Sequence, residues 1–271
     1  MGTILHTMGA KKQFGQNFLQ NKKKLLKIVE VLDSALEVVV EVGPGHGELT
    51  QYILEKGFSV ICIEKDRDMV SVLQKKFEGD ITHGKLKIIE GDALEEISNI
   101  QYLISHKVYA VIGNIPYYIT GHLLRIIGEL EQKPKQVIFL VQEEVARRVC
   151  VQKGDMNLLA ASVGWWAQAH IVTHVPRHMF SPQPRVDSAV IALTTHADFI
   201  RGRDIDNQKR YFVCVKALFK QPRRMAVRNF IDAGISRDHI FESFQKLGIS
   251  QTARPQDFSI EEIIAVSSLF A

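Results

Sequence analysis

Val38-Val39-Val40-Glu41-Val42-Gly43-Pro44-Gly45-His46-Gly47-Glu48-Leu49-Thr50 opens on a β-branched run, passes through glycines at alternate positions and continues into a helical pattern. A strand-length apolar run, a turn tight enough to need glycine and then a helix make the opening unit of a parallel α/β sheet. Working outward, further strand-like runs fall at 59–64, 86–90, 109–112 and 136–141, with helical patterns at 49–56, 68–77, 93–98 and 120–130 between them. Strand alternating with helix at this spacing predicts a sheet covered on both faces. Another helix is expected after Glu143. Two β-rich runs at 169–175 and 186–195 flank a Pro-punctuated loop at 176–184, and they predict an antiparallel hairpin ending the sheet. The polar stretch 197–207 reads as a linker. Beyond Gln208 the pattern is helical only, at 211–219, 225–233, 237–247 and 260–269, with Gly248 as a helix C-cap. The expected fold class is α/β: a doubly wound, mostly parallel sheet over residues 1–199, then a small all-helical domain over residues 200–271.

The chain has 271 residues, 46% hydrophobic and 24% charged, which excludes disordered and collagen-like classes. Its longest apolar runs, such as Val137-Ile138-Phe139-Leu140-Val141, fall far short of the ~20 residues that span a bilayer. No membrane span is expected. Lys11-Lys12-Gln13 has no apolar segment before it, which argues against a secretory signal. Cys62, Cys150 and Cys214 form no Cys-x-x-Cys pair, so neither a metal site nor a disulfide framework is expected, and a reducing cytoplasm suits them. Net charge is only +4, but it is unevenly spread. Lys11, Lys12, Lys22, Lys23, Lys24 and Lys27 face one acid, Glu30, in the first thirty residues. Between Arg201 and Asn229 lie nine basic residues and two acids, Asp204 and Asp206. Two basic segments around a near-neutral middle suit a polyphosphate partner.

Three features fall at carboxyl ends of predicted strands, where open α/β sheets bind ligands. The Gly43–Gly47 turn lets backbone approach a ligand closely, and Pro44 departs from the dinucleotide pattern. Glu64 ends the second strand, about twenty residues on, where an acid can accept from both hydroxyls of a ribose. Asp92 follows the third strand and suits the amino group of an adenine. Together they point to an adenosyl ligand; the alternative is that both acids are N-caps or surface acids at strand ends. His46 is read as a loop residue.

The fourth strand runs into Gly113-Asn114-Ile115-Pro116-Tyr117-Tyr118. An adenine amino group is planar and a poor nucleophile, because its lone pair is delocalised into the ring. Acceptors on its two N–H bonds can draw it toward tetrahedral geometry. The Asn114 oxygen and the Ile115 carbonyl, held by Pro116, can supply them. Tyr117 offers a stacking face to a base taken out of its stack. Such chemistry is mainly positioning.

With these motifs the sequence resembles the ribosomal RNA adenine N6-dimethyltransferase family, and within it the small-subunit members. The resemblance rests on Lys12-Gln13-Phe14-Gly15-Gln16-Asn17-Phe18-Leu19, Glu41–Gly45, Gly113–Tyr117, Phe180–Val190 and Arg254-Pro255-Gln256-Asp257-Phe258-Ser259, which span nearly the whole chain. It implies a Rossmann-like methyltransferase domain and S-adenosylmethionine as donor. It implies four methyl transfers onto two adjacent adenines in the 3′-terminal hairpin of 16S rRNA, within a 30S assembly intermediate. The family's cofactor contacts fall on Asn17, Leu19, Gly43, Glu64, Asp92 and Asn114, and Asn114 also serves the target. Phe180 becomes a second stacking face opposite Tyr117. Lys11, Lys12, Lys220, Arg223, Arg224 and Arg228 are the expected RNA contacts, and a monomer suffices. Two departures stand out: Tyr118 replaces a usual Asn, and the family's Arg-Arg-Lys cluster ends here in Met225. Trp165-Trp166 read as core. Lys22-Lys23-Lys24 stand open between a solvated face and an RNA contact. The competing readings are a 23S dimethyltransferase, an assembly factor acting by binding, and a nicotinamide oxidoreductase with no use for Asn114–Tyr117.

Overall fold

A computed structural model describes residues 17–104, 106–116, 118–197 and 205–270. Lys11, Lys12 and Tyr117 therefore lie outside the described residues. The elements are β1 (Phe18–Leu19), α1 (Lys22–Glu30), β2 (Val38–Val42), α2 (Glu48–Glu55), β3 (Ser59–Glu64), α3 (Arg67–Lys76), α4 (Glu78–Thr82), β4 (Leu86–Glu90), α5 (Ala93–Ile104), β5 (Tyr109–Asn114), α6 (Thr120–Glu129), β6 (Gln136–Gln142), α7 (Glu143–Val149) and α8 (Leu158–Gly164). They continue through β7 (Ala167–Val175), β8 (Phe180–Ser181), β9 (Ser188–Thr195), α9 (Ile205–Leu218), α10 (Ala226–Ile231), α11 (Arg237–Leu247) and α12 (Ile260–Val266).

Seven strands form one open sheet in the order β4-β3-β2-β5-β6-β9-β7. The first five pair in parallel, with Val40 opposite Ile61 on one side and Val111 on the other. All five residues of β2 are buried, as a central strand covered on both faces requires. The hairpin does end the sheet, but its second strand turns inward. β9 pairs antiparallel with both β6 and β7, which leaves β7 at the edge. Burial explains the order: β9 buries Ala189-Val190-Ile191-Ala192-Leu193, whereas β7 carries Gln168, His170 and His174 and suits an edge. The loop between them is more ordered than its prolines suggest. It contains a 3-10 turn at Arg177–Met179 and β8, which pairs with β1 so that Leu19 faces Phe180. A two-residue strand has no pattern of its own and forms only because its partner is nearby.

Helix α1 has no counterpart in the sequence reading. Its lysines mask Leu25, Ile28 and Val29, which bury on one stripe, and Asn21 caps its first turn. Lys24 belongs to the fold: its Nζ donates to Thr173 Oγ1 at 2.8 Å and to the His174 carbonyl at 2.6 Å, tying α1 to the edge strand. Gly248 takes the expected left-handed conformation after α11, with φ 67°. Trp165 and Trp166 are core. Trp165 stacks on Tyr211 of α9 at 4.5 Å between ring centroids, and Tyr211 donates its hydroxyl to the Ala161 carbonyl at 2.8 Å. A side chain at Gly164 would run into Ile260 of α12. One apolar core thus runs from the α6–α8 face of the sheet into the C-terminal helices. No helix among the described residues is long and apolar enough to cross a membrane.

Candidate active site

A cleft of about 980 Å³, counting its open mouth, lies across the carboxyl ends of β2 to β5. Its floor is the turn between β2 and α2. Gly43 and Gly45 have φ of +66° and +58°, a left-handed conformation that favours glycine. A Cβ at Gly45 would come within 2.6 Å of the Phe18 ring, so the second glycine also serves close packing. His46 packs its ring 4.5 Å from Phe18 and stays a loop residue.

Glu64 ends β3 with only 6% of its surface exposed. Its Oε2 accepts from the Gly45 N–H at 3.2 Å and its Oε1 from the Asp66 N–H at 2.9 Å. Burial raises its pKa, and the backbone donors offset part of that rise. The carboxylate therefore staples the glycine turn to β3 while lining the cleft, with lone pairs to spare for hydroxyl donors. Asp92 caps a helix and also faces the cleft. Oδ1 accepts from the Leu94 N–H at 2.9 Å at the start of α5, and the residue also lines the cleft. Its Oδ2 pairs with Lys65 Nζ at 2.7 Å, and that ammonium holds the Asp92 carboxyl below its ordinary pKa. Lys65 was not anticipated, although it directly follows Glu64. Its pairing depends on a strand-end neighbour 27 residues away. Leu94 and Ile119 add apolar walls.

Asn114 closes β5, and its Nδ2 donates to the Asn17 carbonyl at 2.6 Å. That bond orients the amide, turning Oδ1, the acceptor, away from the Asn17 carbonyl. Ile115 extends the pairing to β6 by donating to the Leu140 carbonyl, and Pro116 turns the chain into α6. Asn17, Gly43, Glu64, Asp92 and Asn114 are thus brought to one cleft. Tyr118 stands at its rim, 70% exposed. Leu19 and Phe180 are placed differently. Leu19 lines a smaller cavity on the α1–α2 side, and Phe180, 6% exposed, packs with it in the apolar layer beneath α1. Among the basic residues, Lys220, Arg223 and Arg228 are exposed, while Arg224 is paired with Asp232 at 2.7 Å.

With acceptors at Glu64, Asp92 and Asn114, this cleft could hold an adenosyl group, whose ribose hydroxyls and purine amino group are donors. An open sheet with one antiparallel strand, a glycine turn and such a cleft defines the class of S-adenosylmethionine-dependent methyltransferases. Residues 8–271 match the family model described as ribosomal RNA adenine dimethylase, and the chain belongs to that family. It is 34% identical over 268 residues to the ribosomal RNA small subunit methyltransferase A of Mycoplasma capricolum, covering 97% of this chain and 98% of that one. The protein of that name from Fusobacterium nucleatum is 33% identical over 264 residues, 96% and 97% of the two chains. Two solved structures share the fold at a TM-score of 0.75. They are the 23S rRNA methyltransferase ErmE, 22% identical and covering 94% of this chain and 99% of that one, and a dimethyladenosine transferase from Plasmodium falciparum, 21% identical and covering 92% and 95%. The chain is an rRNA adenine dimethyltransferase that uses S-adenosylmethionine.

Proposed function

We propose that the enzyme methylates N6 of two adjacent adenines in the 3′-terminal hairpin of 16S rRNA, four methyls in all. It does so as a cytoplasmic monomer acting on a 30S assembly intermediate. The observation that carries the chemistry is Asn114, oriented by the Asn17 carbonyl at the β5 end of the cleft. The small-subunit substrate is supported by full-length similarity to proteins named for that activity.

In this reading, residues 1–199 hold cofactor and target, and residues 200–271 grip RNA. Bound in the cleft, S-adenosylmethionine supplies a methyl on a sulfonium, a good leaving group. Glu64 accepts from the ribose hydroxyls and Asp92 from the adenine amino group. Asn114 Oδ1 and the Ile115 carbonyl accept the two N–H bonds of the target amine, so its lone pair turns toward the methyl. No strong base is needed, because the proton leaves late. Tyr117 and Phe180 sandwich the flipped base, which requires the Phe180 ring to be uncovered from its apolar layer.

The test is methyl transfer from labelled S-adenosylmethionine to 30S particles lacking this modification. A plateau near four methyls per particle, mapped to two adjacent adenines, is expected. A plateau near two would show that Tyr118 stops the amine at monomethyl or that one adenine is used, which mapping separates. Transfer to naked 23S RNA and not to 30S would overturn the substrate. Asn114→Ala is expected to abolish methylation and keep particle binding.

A further inference from the structure

Taking a base out of its stack bares two surfaces, its own and the face of the nucleobase beside it in the strand. Asn114, the Ile115 carbonyl, Tyr117 and Phe180 serve the flipped adenine, and none of them serves its neighbour. Among the described residues Tyr102 and Tyr118 are the exposed tyrosines, and every described phenylalanine and tryptophan is at least partly buried. Tyr102 stands near the far end of α5, beside Lys107 and Val108 at the amino ends of the strands. Tyr118 stands at the mouth of the cleft, in the turn between Pro116 and α6. That turn is fastened beneath it. The Ile119 N–H donates to the Pro116 carbonyl at 3.1 Å, and the Leu123 N–H to the Ile119 carbonyl at 2.8 Å.

The ring therefore lies open to solvent, 70% exposed, on backbone that is already fixed. Polar groups stand on the same side of the molecule. Lys65 lines the cleft with it, and His122 Nε2 and Arg125 Nη2 meet at 3.1 Å on the exposed side of α6. His122 is close enough to Asp92 to add, after Lys65, to the lowering of that carboxyl's pKa. The acids Asp92, Glu95 and Glu129 offset these cations, so the rim offers a surface more than a charge. An exposed aromatic face on fixed backbone, with donors alongside, is a platform for a nucleobase. We propose that Tyr118 stacks on the nucleobase that adjoins the target adenine, and so holds the RNA strand beside the flipped base. The inference rests on the target amine entering at the β5 end of the cleft, and it adds the contact for the next nucleotide. With two adjacent adenines as targets, the platform holds one while the other is methylated.

The test crosses two substrates with three enzymes. 30S particles are rebuilt around 16S rRNA that carries a synthetic 3′ hairpin. One adenine of the pair is kept, in either order, and the other is replaced by 2-aminopurine, which stacks but has no N6 amine, or by a ribose without a base. Methyl transfer is measured for the wild type, Tyr118→Ala and Tyr118→Phe. With the purine present, Tyr118→Ala is expected to lower kcat/KM about tenfold, chiefly through KM, and Tyr118→Phe to recover most of the loss. With the base removed, the wild type is expected to fall to the level of Tyr118→Ala, and the substitution to cost nothing further, in at least one of the two orders. Calorimetry is expected to show S-adenosylhomocysteine affinity changed less than about twofold in Tyr118→Ala, against the tenfold loss on RNA. An equal loss with and without the base in both orders would put the ring on the target or in the fold, and would overturn the assignment. So would no loss on the purine particle, or a tenfold weakening of S-adenosylhomocysteine. Absence of transfer by the wild type to particles with both adenines intact would instead overturn the small-subunit substrate, and the inference with it.

Discussion

Glu64 and Glu41 are acids of the same type on adjacent strands, and their surroundings give them different work. Glu64 accepts from two backbone N–H groups and lines the open cleft, so its charge is supported before any ligand arrives. Glu64→Ala removes an acceptor for both ribose hydroxyls. It is expected to weaken cofactor binding by about 1–3 kcal/mol, read by titration calorimetry; unchanged affinity would remove Glu64 from the site. Glu41 has no such backbone support and is wholly buried. Its folded pKa, about 7, lies above the unfolded value, so the folded chain holds the proton more tightly. The sign follows: this group's contribution to stability is greatest below about pH 4.5 and declines as pH rises through 7. Ligand-free Glu41→Gln is therefore expected to exceed the wild type in stability at pH 8, by about 2 kcal/mol, and to lose that advantage near pH 5. Denaturant melts at the two pH values check this. A variant less stable at both would show that the carboxyl is structurally required.

At the scale of elements, the β2–α2 turn is the part most narrowly specified. Gly45 combines a positive φ with contact against Phe18 of β1, so the turn and the β1–β8 ribbon are coupled. Gly45→Ala adds left-handed strain, about 1–2 kcal/mol, and pushes on the Phe18 ring. The variant is expected to melt lower and to bind S-adenosylhomocysteine more weakly; a wild-type melting temperature and affinity would show that the turn relaxes freely. The strands β2, β3 and β4 and the helix α11 were legible to the residue, because apolar runs, glycines and caps lie next to one another in sequence. Helix α1 was not, because a lysine run hides its apolar stripe, and one of those lysines turns inward to the edge strand. β8 was not, because its only signal is its partner.

Across the whole molecule, the basic residues of the helical region divide by what surrounds them. Arg223 and Arg228 are exposed, whereas Arg224 is held by Asp232 and Gln221. Each phosphate contact contributes about one unit to the slope of log affinity against log salt. Arg223→Ala and Arg228→Ala are each expected to flatten that slope for 30S binding by about one unit, and Arg224→Ala by less. An effect at Arg224 equal to the others would mean that the ion pair opens on RNA.

The sequence by itself determined the alternation of strands and helices, the glycine turn, and the position of Glu64, Asp92 and Asn114 at strand ends that line one cleft. All of these are written in spacing and residue type along short stretches of chain. Tertiary structure decided the rest. It set β9 between β6 and β7, made Asp92 the cap of α5 beside Lys65, covered Phe180, paired Arg224 and buried Glu41 away from any described cation. The physical reason is that hydrophobic periodicity is local, whereas desolvation and charge pairing depend on what the fold brings alongside. For Glu41 those neighbours are Thr50 and Cys62, 9 and 21 residues away in the chain.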